Sequence, residues 1–474
     1  MTQSVITYQN LKISPYGLVN LQQLSIKKKL NEHAYVKFTG IVPEEKKDSY
    51  IEMTGPNTQI EISQVDEEGA LSPLFCGIVL SIEIKVIRGI YYMEVEGVSH
   101  SYKLDTKKKS RSFQNPNLTY PALLEKISKE YPGLEVMDAA TNGGGIGKFT
   151  LQYQETDWQF LKRLASRMHT SLMPATVFDS PKFYFGVFES SAKAELDNYH
   201  YEVNKKMSEF RYFSEQEGAD VEDRDFIFYE VETDKVLDLG HVVAFKGKQL
   251  YVREAVSEMT AGLLKHRYTL CSHRGLRHSV LYNELLIGAS IQGEVISVTG
   301  DKVQVHLQID KEQSKAEAHA FPYSSVYSAE GNSGWYCMPE TGDHVLVYFP
   351  SNKEEEGVAN GSVRQNSEDG GHNKLGNPDM KYFRTASGKE LLMGPDEIVV
   401  TAKDGEIFIR ISDKTGIEIQ SSKPIKLTAA EDITMDAGRN LIISAKDEIY
   451  LNCKESEITL NGNTTIVGTE LKTN

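Results

Sequence analysis

Large aliphatic residues return every eight positions through the last quarter of the chain. One line runs Ile409, Ile417, Ile425, Ile433, Leu441 and Ile449, and a second runs two residues behind it through Ile411, Ile419, Leu427, Met435, Ile443 and Leu451. From Ser421 a third position is small: Ala429, Ala437, Ala445 and Cys453. Spacing of i, i+2, i+4 places side chains on one face of a strand. Polar turn formers such as Asp413-Lys414-Thr415-Gly416 and Ala437-Gly438-Arg439-Asn440 separate the strands. A short fixed period of strand plus turn predicts a stacked prism or β-solenoid. An amphipathic helix would need i, i+3, i+4 and i+7, which this register does not supply. Eight residues are too few for one chain to close a solenoid turn, so the pattern predicts identical chains wound together. Each aliphatic buried in such a rod contributes roughly 1.5–3 kcal/mol before the entropy cost.

Upstream, period-two alternation recurs over 21–29, 34–41, 59–64, 74–85 and 91–99, broken by turn signals such as Gly55-Pro56-Asn57. This predicts a β-barrel or sandwich. Leu123, Leu124, Ile127 and Tyr131 then fall at helical spacing before a Pro132-Gly133 stop. A second helix is expected after Thr156 or Asp157, either of which can cap it, with Phe160, Leu161, Leu164 and Met168 on one stripe. Strand alternation resumes at 226–232, 242–245, 250–258 and 263–271. Segment 76–99 and segment 249–272 echo each other as a strand, a glycine turn and a returning strand, which suggests an internal duplication. Residues 286–365 read as a five-stranded small barrel of the oligomer-binding (OB) type, with Pro339 and Gly342 in the turn before an apolar strand at 345–349. A polar, glycine-rich linker follows at 367–379.

At 474 residues there is room for several domains. A formal charge of −15 works against nucleic acid or anionic lipid as the main partner. No apolar run reaches membrane-span length, and the first residues lack a signal-peptide pattern, so synthesis in the cytoplasm is expected. Cys76, Cys271, Cys337 and Cys453 are scattered among strand-like residues, which suggests four buried free thiols.

Candidate chemistry is sparse. Residues 143–148 resemble a phosphate loop, but Asn142 stands where its first glycine belongs and Phe149 where its Ser/Thr belongs. Cys271, His273 and His278, with His266 nearby, lack a closely spaced second ligand pair and sit beside Arg267, Arg274 and Arg277. The Glu354-Glu355-Glu356 run reads as a solvated turn. No catalytic, cofactor or metal site is expected.

Four motifs in order resemble the spike proteins of contractile injection machines, that is, valine-glycine repeat (VgrG) spikes and the fused hub and spike of contractile phage tails. They are FCGIVLSIEIK with SRSFQNPNLTYPALLEKI, QYQETDWQFLKRLASR, the pair GDKVQVHL and GWYCMPETGDHVLVYFPSNKEEEGVANGSV, and the terminal octads. The resemblance implies a mainly β homotrimer. Its parts would be a first, tube-docking hub barrel (1–110), an α+β region (111–205), a second hub barrel (206–282), an OB-fold (283–366), a linker and neck (367–399) and a triple-stranded β-helix spike (400–474). Three chains would then join a sixfold inner tube to a threefold membrane-puncturing needle whose core is the twelve octad aliphatics. Inner tube and baseplate proteins are the implied partners, along with a target envelope met on injection. A separate proline-alanine-alanine-arginine (PAAR) repeat protein would dock near Ile466 and Val467. Neither the inserted lysozyme domain of some phage spikes nor a fused toxin is seen in the sequence. A tail-associated glycan hydrolase and a receptor-binding tail fibre are the alternatives.

Overall fold

Alternation over two distant segments produces two long hairpins with matching irregularities. The structure is a computed structural model that describes residues 6–66, 68–190, 193–197, 200–216, 221–326, 328–329, 333–362 and 377–470. Strands β1 (Leu11–Ser14), β2 (Asn20–Lys29), β3 (Tyr35–Ile41), β4 (Gln59–Val65), β5 (Leu71–Ile87) and β6 (Ile90–Ser99) form the first set, with helix α1 (Lys47–Met53) between β3 and β4. After them come β7 (Lys109–Phe113), α2 (Tyr120–Ser128), β8 (Glu135–Asp138), β9 (Thr150–Glu155), α3 (Asp157–Ser166), β10 (Leu172–Pro174) and β11 (Lys182–Phe185). The second set is β12 (Lys193–Leu196), β13 (Tyr201–Lys205), β14 (Ile227–Thr233), β15 (Val242–Phe245), β16 (Lys248–Thr260) and β17 (Leu263–Cys271).

The first set runs β1-β4-β5-β6-β3-β2 across its sheet, and the second runs β12-β15-β16-β17-β14-β13. Strand for strand, the order is the same. Both hairpins turn on two left-handed residues, Arg88-Gly89 (φ 51 and 76) and Ala261-Gly262 (φ 51 and 80), as two-residue hairpin loops require. Both carry a bulge at the same distance from the turn, between Val79 and Ser81 and between Val252 and Glu254. The one departure is at the outer strand: β1 pairs antiparallel and β12 parallel. Each set wraps its own core, the first around Phe38, Phe75, Met93 and Val95, the second around Phe228, Val231, Val243 and Leu270.

The sets are fused where β2 lies along the distal half of β16, from Glu254 opposite Lys29 to Glu258 opposite Ser25. Residues 1–110 are therefore part of the cover of the second set as well as a core of their own.

Both expected helices form. Thr119 caps α2, whose Leu123, Leu124 and Ile127 are buried, and Thr156 caps α3 in a reciprocal box with Gln159. Met168 lies beyond the end of α3. Strands β18 (Ser290–Thr299), β19 (Lys302–Leu307), β20 (Ala320–Ser324), the short β21 (Ser328–Ala329) and β22 (Ser333–Gly334), β23 (His344–Tyr348) and β24 (Val358–Ser362) follow. Five of them close a barrel, β18-β19-β20-β24-β23. Val303, Val305, Leu307, Val345 and Val347 point into it, as alternation requires. Phe149, dismissed as a phosphate-loop position, is buried in this barrel core beside Phe321 and Phe349.

Two expectations change here. Cys76 and Cys271 are buried, and burial pushes their thiols up to about 11 and about 12, but Cys337 and Cys453 are exposed. Glu354 is no solvated turn residue: it is 3% exposed and receives the guanidinium groups of both Arg163 and Arg167. Its partners lie on α3, far away in sequence.

Residues 368–474 are a second unit. It contains β25 (Lys381–Arg384), β26 (Glu390–Met393), β27 (Glu397–Lys403), β28 (Ile407–Ser412) and β29 (Gly416–Ser421), then β30 (Ile449–Cys453), β31 (Ser456–Leu460) and β32 (Thr464–Val467). Most of the expected 367–379 linker lies outside the described residues.

Candidate functional site

Strands β25 to β29 form one antiparallel meander in which opposite residues share a face. Phe383, Leu391, Val400, Ile409 and Ile419 make one row across it, and Met393, Ile398, Ile411 and Ile417 make a second. All nine are exposed, from 37% at Leu391 to 73% at Ile417. The reverse face is mixed: Tyr382, Leu392, Val399 and Phe408 share it with Arg410, which reaches Glu397 at 3.1 Å and Glu418 at 2.9 Å. A contiguous apolar face like that of the two rows marks an interaction surface.

Within one chain the first octad strands fold back on each other. Ile409, Ile411, Ile417 and Ile419 belong to hairpin strands paired within one chain, Ile411 opposite Ile417 and Ile409 opposite Ile419. The turn at 413–416 ends on Gly416 with φ 86, which lets the chain reverse.

After Ser421 the behaviour changes. Pro424 has no amide hydrogen to give to a ladder and disfavours helical backbone at Lys423 before it. From 424 to 448 the backbone forms no helix or strand and bends at 430–431, 438–439 and 446–447, continuing the bend at 422–423. The eight-residue sequence period is thus a backbone period. No backbone hydrogen bond joins this segment to any other described residue. Its aliphatics are as open as its amides: Ile425 is 57% exposed, Leu427 67%, Ile433 54%, Met435 58%, Leu441 59% and Ile443 61%.

The remaining octad residues, Ile449 and Leu451, lie on β30, opposite Leu460 and Ile458 of β31. Ile466 faces Ile458 on the same side of this small sheet. Its neighbour Val467 is opposite Glu457, on the other side, as strand alternation dictates. The two proposed tip residues therefore do not share one patch.

The residues weighed as zinc ligands each have separate partners. His266 is buried, which lowers its pKa to about 4, and its Nδ1 lies 2.7 Å from Ser257 Oγ. Cys271 Sγ faces the Tyr251 carbonyl, His273 meets Glu189 at 2.8 Å, and His278 Nδ1 meets the Ser279 carbonyl. Among the described residues, no group of three His, Cys, Asp or Glu side chains is placed to hold a metal, and no helix is long and apolar enough to cross a membrane.

Sequence reasoning missed two buried ionic clusters in the first unit. In one, Arg163 binds Glu155 at 2.8 Å, Glu354 and the Leu151 carbonyl, tying α3 and β9 to the OB barrel. Burial opposes the Arg163 charge, but Glu354 and Glu155 outweigh it and raise its pKa. In the other, fully buried Asp157 accepts from Lys109 at 2.5 Å, Arg111 at 2.6 Å, Tyr131 at 2.6 Å and Gln152 at 2.9 Å. Burial works against its carboxylate, yet these donors hold its pKa below the ordinary range. Every polar atom has a partner across several elements, so the clusters act as clamps.

No family model matches this chain, and no curated protein matches it. Solved structures do. A type VI secretion component, the E. coli c3393 protein, described as structurally similar to the T4 phage tail proteins gp27 and gp5, aligns with a TM-score of 0.54 at 14% identity, covering 75% of this chain and 99% of that one. VgrG-containing PdpA complexes from Francisella align at 0.53, the lidded form at 10% identity with 85% and 76% covered, the half-lidded form at 11% with 87% of each. These likenesses define the class: the chain has the mainly β fold of VgrG-like and phage tail hub proteins.

Proposed function

We propose that this chain is one subunit of a homotrimeric hub and spike of a contractile injection machine. The observation that carries the reading is octad segment 424–448, whose backbone has no hydrogen-bond partner among the described residues and whose aliphatics are exposed. Copies wound about one axis would supply the missing hydrogen bonds and cover the aliphatic pairs together, and each chain would also lay its apolar meander face against the next. An interwound β-rod is stiff because no strand can bend without breaking pairings to its neighbours.

The duplicated sheet supports the other half of the reading. Three chains would present six copies of one strand pattern, suited to a sixfold inner tube, above a threefold needle. Its work is load transmission rather than bond making. The octads carry force, and the clamp around Glu354 keeps hub and OB barrel moving as one body. Tube, baseplate and tip proteins would be its partners in the particle.

Light scattering on the intact protein tests this. The expected mass is three times that of the chain at micromolar and lower concentrations, and a stable monomer would overturn the assignment.

A further inference from the structure

Where β2 lies along β16, the backbones pair but the side chains beside them do not close up. Ile26 stands opposite Ser257 and Lys28 opposite Ala255, and residues that are opposite or two apart share a face. All four line a cavity of about 230 Å³. Leu74 of β5, Val177 and Leu237 add apolar walls from three other segments, and His266 of β17 and Asp238 complete the polar side. The cavity thus lies between the cores of the two strand sets, with Ile26 and Leu74 from the first and Leu237 and Ala255 from the second.

His266 is its unusual wall. The side chain is 1% exposed, Nδ1 is turned to Ser257 Oγ at 2.7 Å, and Nε2 has no hydrogen-bond partner among the described residues. A buried ring nitrogen is costly to leave unsatisfied, so its partner is a group from outside the chain. Ser257 Oγ can donate to Nδ1 or accept from it, so the neutral ring can offer Nε2 as acceptor or as donor. A hydroxyl or a carbonyl would serve equally.

The charges of the cavity already balance. Lys28, itself buried, meets Asp238 at 3.3 Å, and burial holds His266 and the neighbouring His241 below the ordinary imidazole range, neutral at pH 7. An entering ion would find no spare counter-charge, which disfavours it. Size sets the other limit. An apolar cavity of about 150 Å³ accepts benzene, so this one has room for a ring or a short branched chain with one polar group.

We infer that this cavity binds a small uncharged molecule, an apolar ring or short chain bearing one hydroxyl or carbonyl that hydrogen-bonds to His266 Nε2. The site is built from one chain and lies within residues 1–367, so it stands independently of the trimer reading.

Equilibrium dialysis of the intact protein at pH 7 against p-cresol, toluene and benzoate tests it, since these probes carry a hydroxyl, no polar group and a charge. The expected order is p-cresol about tenfold tighter than toluene, the worth of one hydrogen bond, with benzoate weaker than p-cresol. His266→Phe is expected to bring p-cresol down to the level of toluene. Filling the cavity, by Ala255→Leu on the strand or Val177→Phe on the loop, is expected to abolish binding of both. Trp158 fluorescence reports which filled variant is folded, and the half-buried loop position serves if the strand position is not tolerated. No uptake of p-cresol at millimolar concentration, the result a merely hydrated recess gives, would overturn the site. So would p-cresol binding that survives His266→Phe or a folded filling variant, and benzoate binding more tightly than p-cresol would overturn the uncharged guest.

Discussion

Ile443→Asp is expected to abolish assembly, while Ile442→Asp, one residue away, leaves it intact. Leu441, Ile442 and Ile443 are consecutive aliphatics, and hydropathy alone does not distinguish them. The octad register does: positions 441 and 443 lie on the two recurring lines and 442 lies between them. In the single chain all three are exposed, Ile442 most of all at 82%. Winding the chains together would bury Leu441 and Ile443 and leave Ile442 outside.

Each buried aliphatic lost removes about 1.5–3 kcal/mol per chain. The substituted carboxylate adds a desolvation cost of several kcal/mol unless it is paired. Because the change is repeated in every chain, one layer of the rod would hold one such carboxylate from each. Ile442→Asp, a surface change, should stay within about 0.5 kcal/mol. Light scattering reads the mass, and Trp158 fluorescence reports whether the first unit remains folded, since that side chain is buried in the α3 core.

Glu354→Ala is expected to cost about 3–5 kcal/mol, the range for breaking a buried ionic cluster from one side. The carboxylate holds Arg163 and Arg167 together, and Arg163 is itself buried, so removing the acid leaves adjacent guanidinium groups without their shared counter-charge. Glu155 would remain on Arg163, which limits the damage there. Neighbouring Glu355 pairs with Lys148 across a half-exposed surface, and Glu355→Ala should cost no more than about 1 kcal/mol. The urea midpoint followed by Trp158 fluorescence separates the two variants. Equal midpoints would mean that the cluster does not hold the OB barrel to α3.

Why the sequence revealed some of this and hid the rest follows from range. The octads were visible because their period is local. The same period fits both a strand that folds back and one that runs on, so the register alone could not distinguish the hairpin at 409–419 from the run after Pro424. The duplication surfaced as an echo of the two long hairpins, whose turns and bulges are local events. Its full extent stayed hidden because β12 and β13 are only four or five residues long and half polar. Glu354 was misread for a different reason. Its run of acids looks solvated until α3, distant in the chain, brings two arginines onto it. Cys453 sat at a small octad position that implied burial, and the structure leaves it exposed.

The account depends on residues 424–448 finding, in other copies of the chain, the backbone partners they lack among the described residues of their own. Amide hydrogen exchange across that segment in the intact protein tests this most directly. The account predicts exchange as slow as in the β5 and β6 core strands. Exchange at the rate of an unpaired, solvated chain would contradict it.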